Sequence, residues 1–192
     1  TRIAKEGRAS PLLGGEIGLS WTTLATVALM AHGAVISGWT PLSPSAVGLV
    51  WLVYGITGTL IAVILGRRIN KTSDLSRTLI NQASAATWIA SGLMIFAVVM
   101  SIIVAVSLNG YSPDLFNSIV PLAFSLATVS YAVLASLTQQ GYLRFAALAS
   151  GAAASITLMM IHEPHMYFVA GVLLIISGVI PSLIEIRKAR TA

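Results

Sequence analysis

The sequence predicts an all-α polytopic membrane protein, a bundle of six transmembrane helices in three hairpins with both termini cytoplasmic. Composition, the length of the apolar segments and the distribution of basic residues all lead to this prediction. Of the 192 residues, 56% are hydrophobic and only 9% are charged, whereas roughly a quarter of the residues of a typical soluble domain are charged. The composition therefore excludes an ordinary soluble domain.

Six apolar segments are each long enough to cross a bilayer, because a hydrocarbon core of about 30 Å needs roughly 20 mostly apolar residues in a helix. Unbroken apolar segments indicate helices rather than barrel strands, which are about 10 residues long and alternate in polarity. The predicted spans are about 17–39, 45–65, 80–108, 115–137, 142–161 and 166–186. Residues 1–15 are predicted to be a cytoplasmic juxtamembrane segment, and residues 16–190 a single transmembrane domain.

The first predicted hairpin turns at "GWTPLSPS", and its second span closes on "GRR". The basic residues Arg67, Arg68, Lys71 and Arg77 follow within about a dozen residues. This segment, residues 66–79, is predicted to be a loop that contacts lipid headgroups. A docking surface for a protein partner in the cytoplasm is the alternative.

The other two predicted hairpins turn at "NGYSPD" and "HEPH", and the sixth span ends before "RKAR". The fifth span carries Ala147, Gly151 and Ser155 at four-residue spacing. Small residues let helix backbones approach closely in lipid, where no hydrophobic force drives helices together. The fifth helix is therefore predicted to lie centrally in the bundle, with this face packed tightly.

All eleven Lys and Arg residues lie before the first span, between the second and third, near the fourth-to-fifth turn or after the sixth. The other three turns carry Asp114 and Glu163 and no basic residue. The positive-inside rule therefore predicts cytoplasmic termini in a bacterial inner membrane, with these three turns outside. The net charge of +5 indicates contact with anionic lipid at the cytoplasmic face. Nucleic-acid binding is not predicted, because no folded basic domain exists to carry it.

His32 is predicted to lie about 9 to 10 Å below the outer end of the first helix, at 1.5 Å per residue. Ionisable residues at such depth are costly and often mark functional sites. A neutral histidine can also serve packing alone, by bonding to a carbonyl, a Ser or a Thr of a neighbouring helix. Both interpretations stay open, and the structural one is favoured.

His162, Glu163 and His165 belong to the turn "HEPH". Its histidines are three residues apart rather than four, and Pro164 disfavours helix at the preceding residue. A zinc site usually takes three or four ligands, so a metal would also require His32 or Asp114 nearby. A bis-histidine haem between His32 and His162 is a further alternative. The sequence favours a polar external turn and predicts no cofactor.

The third span carries a second group of polar side chains, close to the cytoplasmic side. Asn81, Ser84, Trp88 and Ser91 share one helical face at three- and four-residue spacing, and Gln139 closes the fourth span at the same level. These residues indicate either a cavity for a small neutral or anionic solute or ordinary interhelical hydrogen bonding. No acidic residue lies deep in a span to couple ions or protons, which favours hydrogen bonding.

Catalytic motifs are not apparent: the sequence has no Gly-x-Ser-x-Gly, no nucleotide-binding glycine pattern and no helical H-E-x-x-H. Two functions from different classes remain. The first is a non-catalytic accessory or regulatory subunit that acts through helix faces and a basic cytoplasmic surface. The second is a small-solute transporter or substrate-binding subunit with a pocket among the third, fourth and fifth helices.

Overall fold

A computed structural model describes residues 12–72 and 74–191, without the side chains of residues 72, 74 and 75. These residues form helices and connecting turns, with no strand among them. The α-helices are α1 (Gly15–Ile36), α2 (Ala46–Thr72), α3 (Leu79–Asn109), α4 (Ile119–Thr138), α5 (Gly141–Met159), α6 (Met166–Leu174) and α7 (Ile180–Thr191). A π-helical turn (Ile175–Val179) joins α6 and α7 into a sixth span, Met166–Thr191. Two 3-10 helices, Asp74–Arg77 and Pro113–Ser118, precede α3 and α4.

Six helical segments of the described chain are long and apolar enough to cross a membrane. The predicted all-helical class and the predicted number of spans are therefore confirmed. The protein has the architecture of a multi-pass membrane protein.

The bounds of the second span differ from the prediction. The apolar run ends near residue 65, but α2 continues to Thr72, so much of the predicted 66–79 loop is helix. Arginine and lysine are good helix formers, so a charged stretch marks the end of the apolar segment without ending the helix. Residues 1–11 of the predicted juxtamembrane segment lie outside the described residues, and Gly15, its last residue, already belongs to α1.

The helices pack in a spatial order that differs from their order in the chain. α1 lies between α2 and the sixth span, α5 lies between the sixth span and α4, and α3 packs on α4. The row therefore runs α2, α1, sixth span, α5, α4, α3. Although α2 and α3 are consecutive in sequence, they occupy its two edges and leave most of their side chains exposed.

Glycines allow α1 and the sixth span to approach closely along their whole length. A Cβ added at Gly15 would lie 2.9 Å from Cγ1 of Ile186, and one at Gly18 would lie 2.8 Å from Oγ of Ser182. On the sixth span, a Cβ at Gly178 would lie 2.6 Å from Cγ2 of Thr22. Close approach through small residues is how helices gain packing energy in lipid.

The predicted central position of α5 is confirmed, since α5 packs between α4 and the sixth span. The buried face is not the predicted one. It consists of Leu143, Ala146, Ala147, Ser150, Ala153 and Thr157. Of the predicted stripe, Ala147 belongs to this face, Gly151 borders it, with an added Cβ lying 3.6 Å from Thr128, and Ser155 is exposed. Small residues occur on most faces of α5 itself. Their spacing alone therefore could not identify the packed face.

Contacts define two ends of the bundle. At the termini end, where α1 begins and α7 ends, the backbone N–H groups of Gly14 and Gly15 donate to the Glu185 carboxylate. At the opposite end, the loop end, the rings of Trp39 and Phe168 stack with centroids 4.6 Å apart. The Lys and Arg residues of the described chain all belong to segments at the termini end: Arg67, Arg68, Lys71, Arg77, Arg144, Arg187, Lys188 and Arg190.

Candidate functional site

The most developed buried polar cluster lies near the loop end, around His32 of α1. The imidazole is 9% exposed, and its ring lies against that of Tyr167, with centroids 3.6 Å apart and planes inclined by 31°. On its edge, Nε1 of Trp51 donates to Nδ1 of His32 over 3.0 Å. Residues from α2 and the sixth span therefore fix the orientation of this histidine.

The hydrogen bond from Trp51 also determines the tautomer of the neutral imidazole. Because Nδ1 accepts a hydrogen bond, a neutral His32 carries its proton on Nε2. Among the described residues, the structure shows no acceptor bonded to this Nε2. Two contacts therefore hold the imidazole: the hydrogen bond at Nδ1 from Trp51 and the packing of the Tyr167 ring against one face.

Tyr167 extends the cluster toward the loops. Its hydroxyl donates to Oδ1 of Asn117, and Nδ2 of Asn117 donates to the carbonyl of Ile161 over 2.9 Å. Asn117 lies in the 3-10 helix before α4, and Ile161 follows α5. The line from Trp51 through His32, Tyr167 and Asn117 to Ile161 therefore connects all three predicted hairpins.

Aromatic rings continue this cluster along the interface of α1 and α2. Tyr54 packs edge-on against Trp51 at 5.4 Å and against Trp21 at 5.3 Å between centroids. Gly58 makes room for the Trp21 indole, since a Cβ there would lie 2.6 Å from its Cζ3. Edge-to-face pairs of this kind stabilise beyond the area they bury, by about 0.5–1.5 kcal/mol each.

The turn "HEPH" lies apart from this cluster. His162, Glu163 and His165 are all exposed, and in the described chain no hydrogen bond or ring contact joins them to His32. Nor do any three His, Asp or Glu side chains in the described residues come close enough to hold a metal ion. No contact joins His32 to His162, the pair considered for a haem, and this alternative stays a prediction.

Most of the predicted polar face of α3 is turned toward α4 or the start of α1. Asn81 and Ser84 are buried. Oδ1 of Asn81 accepts from the backbone N–H of Leu13, and its Nδ2 donates to Oγ1 of Thr78, both at 3.0 Å. The hydroxyls of Ser91 and Ser130 lie 2.9 Å apart.

The other two members of the predicted pocket are more exposed. Trp88 is 39% exposed and packs edge-on against Tyr131 at 5.1 Å. Gln139 is exposed, accepts from Arg144 over 2.7 Å and donates to the carbonyl of Ser136. The structure thus groups the four α3 residues along one side and leaves Gln139 outside that group. Whether they bind a solute stays a prediction.

A cavity of about 190 Å³ lies at the termini end, where the start of α1 meets the ends of α2 and α7. Three charged side chains line it: Glu16, Arg68 and Arg190. Of the four basic residues predicted to contact lipid or a partner, only Arg68 reaches it. Arg67, Lys71 and Arg77 are exposed elsewhere at this end.

The sequence did not identify Trp51 and Tyr167 as partners of His32, or Asn117 as the partner of Tyr167, because aromatic residues near span ends are commonly interfacial anchors and these contacts join separate helices. One signal was available. Trp51 lies five residues inside α2, about 7 to 8 Å from its start, a depth close to that predicted for His32. Glu16 and Arg190 were also missed at the cavity, because only folding brings the two ends of the chain together.

Comparison with known proteins adds no relative, since no protein-family model, curated protein sequence or solved structure matches the chain significantly.

Proposed function

We propose that this protein is a non-catalytic accessory or regulatory subunit of a bacterial inner-membrane complex, with both termini in the cytoplasm. Its partner is an integral membrane protein whose transmembrane helix packs on α2. The observation that carries the proposal is the position of α2 at one edge of the row, with α1 as its one extensive helical neighbour.

The free face of α2 has the composition of a helix-packing surface. Gly48, Leu52, Gly55 and Thr59 recur on one side of the helix, and a Cβ added at either glycine would meet no atom within 4 Å. In lipid, glycines at such spacing let a second helix approach closely. These glycines would not stabilise a helix that contacts only acyl chains, because glycine is about 1 kcal/mol less favourable than alanine in a helix.

Charge at the adjoining end supports a partner with an acidic cytoplasmic segment. Arg67, Lys71 and Arg77 are exposed at the end of α2 and in the following 3-10 helix. Cations on a rim steer association and set orientation more than they add affinity. The apolar face would therefore supply binding energy, and the basic segment would set the register.

Site-specific photocrosslinking in living cells tests the proposal. A photoreactive amino acid at Leu52, which is 58% exposed, should yield one discrete adduct with another membrane protein. Gly55→Leu should abolish this adduct by filling the approach surface while leaving the bundle folded. Val129, on α4 and 59% exposed, is the matched control position and should give lipid adducts alone.

Lipid adducts at both positions would contradict the proposal, as would an adduct of twice the mass of this chain, which would identify a second copy as the occupant. The triple variant Arg67→Gln, Lys71→Gln, Arg77→Gln should weaken the Leu52 adduct severalfold. Arg144→Gln, at the same end but distant in sequence, should not.

The rival function is a small-solute transporter or substrate-binding subunit. The burial of Asn81 and Ser84 beside the Ser91–Ser130 pair favours it, since a solute site requires polar groups at depth. If the protein has this function, it should show saturable uptake of a solute or thermal stabilisation by a solute. Asn81→Leu or Trp88→Ala should abolish that response. If both variants kept such a response, the α3 face would not be the site.

A further inference from the structure

We propose that the cavity at the termini end binds the phosphodiester headgroup of an anionic phospholipid, specifically one with headgroup hydroxyls such as phosphatidylglycerol. The proposal rests on the membrane placement given under the proposed function, but it does not depend on the protein partner. The cavity lies among three helix ends and has a volume of about 190 Å³, more than ten times the roughly 10–15 Å³ that one water needs.

The walls combine the two surfaces that a phospholipid presents at the membrane interface. Leu13, Ile69 and Ile186 contribute apolar side chains, while Arg68 and Arg190 contribute guanidinium groups. A planar guanidinium matches phosphate oxygens with paired hydrogen bonds. Basic pockets between helices on the cytoplasmic side are a recurrent form of headgroup site.

Arg190 forms no hydrogen bond or ion pair with any described residue, so its donors are free for a ligand. The backbone N–H groups of residues 13 to 15, at the entry to α1, are already engaged, because Leu13 donates to Asn81 and Gly14 and Gly15 donate to Glu185. Arg190 is therefore the side chain that we assign to the phosphate, and the positive charge of Arg68 lies beside it in the same cavity.

Glu16 determines which headgroup fits. Its carboxylate lines the same cavity and would repel a second phosphate, but it accepts hydrogen bonds from hydroxyl groups. One phosphate beside the arginines, with glycerol hydroxyls directed to Glu16, satisfies both kinds of side chain. A soluble phosphate would leave the apolar walls uncovered.

The test is the thermal stability of the purified full chain, titrated with short-chain phosphatidylglycerol. Phosphatidylglycerol should stabilise the protein saturably. Arg190→Gln should weaken the apparent affinity by about tenfold, the size expected for one charge-assisted hydrogen bond. Arg187→Gln removes the same charge from the same helix outside the cavity and should change affinity little. Glu16→Gln should leave binding intact or tighten it, because an amide keeps an acceptor and loses the repelling charge.

Equal weakening in Arg190→Gln and Arg187→Gln would overturn the site, since it would show diffuse attraction to the whole basic end. Equal stabilisation by short-chain phosphatidylcholine would overturn the preference for an anionic lipid. Equal stabilisation by glycerol phosphate would assign the cavity to a soluble anion.

A photoreactive phosphatidylglycerol provides a check on the unmodified chain. It should label peptides that contain residues 12–16 and 186–190, and labelling elsewhere alone would contradict the proposal. The protein adduct at Leu52 should persist in Arg190→Gln. Failure of the lipid site and failure of the partner site are therefore distinguishable.

Discussion

The indole of Trp51 and the imidazole of His32 are joined by a hydrogen bond of 3.0 Å across the α1–α2 interface. A donor from α2 thus satisfies the nitrogen of a residue that is costly to bury in lipid. Trp51 is therefore a structural partner of His32.

Trp51→Phe should destabilise the bundle. Phenylalanine keeps most of the ring contact but leaves Nδ1 of His32 without its donor, and an unsatisfied buried polar atom costs about 1–3 kcal/mol. Equilibrium unfolding in mixed micelles measures the change. Trp39→Phe is the control, since Trp39 is 69% exposed and its stack on Phe168 is retained; it should cost less than about 0.5 kcal/mol. Equal losses would contradict a specific role for the hydrogen bond.

Tyr167 and Asn117 should be energetically coupled. Tyr167→Phe removes the hydroxyl donor to Asn117 while preserving the ring against His32, and we expect a loss of about 1 kcal/mol in the free energy of unfolding. A double-mutant cycle with Asn117→Ala should give a coupling energy of about 0.5–1.5 kcal/mol. Tyr111→Phe, at an exposed position of the preceding turn, should show no coupling. Additive effects at Tyr167 and Asn117 would refute the link.

Two glycines of α2 should respond in opposite directions to alanine. Gly58→Ala places a methyl group against the Trp21 ring, which Tyr54 holds from another side. Overpacking of this kind costs about 1–3 kcal/mol. Gly55→Ala enters open space and should stabilise the helix by up to about 1 kcal/mol. Thermal unfolding of the two variants in one detergent gives the comparison, and the same sign for both would be inconsistent with this packing.

Single-cysteine labelling tests the predicted orientation, because the chain contains no cysteine and background labelling is absent. Ser43→Cys, in the first loop, should react with a membrane-impermeant maleimide in intact cells. Lys71→Cys, at the end of α2, should react only after the membrane is permeabilised. The reverse pattern would invert the orientation, and labelling of both from one side would rule out the six-span arrangement.

The six spans could be predicted from the sequence because length and apolarity together define a membrane-crossing helix. The ends of the helices were harder to predict, because hydropathy indicates where the apolar layer ends and not where backbone hydrogen bonding ends. α2, for example, extends to Thr72, beyond its apolar segment. No sequence pattern predicted the π-helical turn at Ile175–Val179.

The surroundings of His32 could not be predicted, although its burial could. The depth of His32 can be calculated from its position in its own helix. Its partners Trp51 and Tyr167 lie on other helices, 19 or more residues away in the sequence. The sequence does not determine how those helices are rotated about their axes. The same limitation applied to α5, where the buried face was displaced from the predicted stripe. For the termini-end cavity, Arg68 was identified as basic surface, but its proximity to Glu16 and Arg190 depends on the spatial order of the helices.

The position of α1 between its sequence neighbour α2 and the final span has a consequence for biogenesis. The glycine-lined face of α1 stays unmatched until ribosomal synthesis reaches the sixth span. A nascent chain arrested after α5 would therefore present the His32 imidazole without its covering tyrosine. Completion of the last span is thus the step that closes the assembly, and premature termination before residue 166 should leave a product that the cell clears rather than a smaller working bundle.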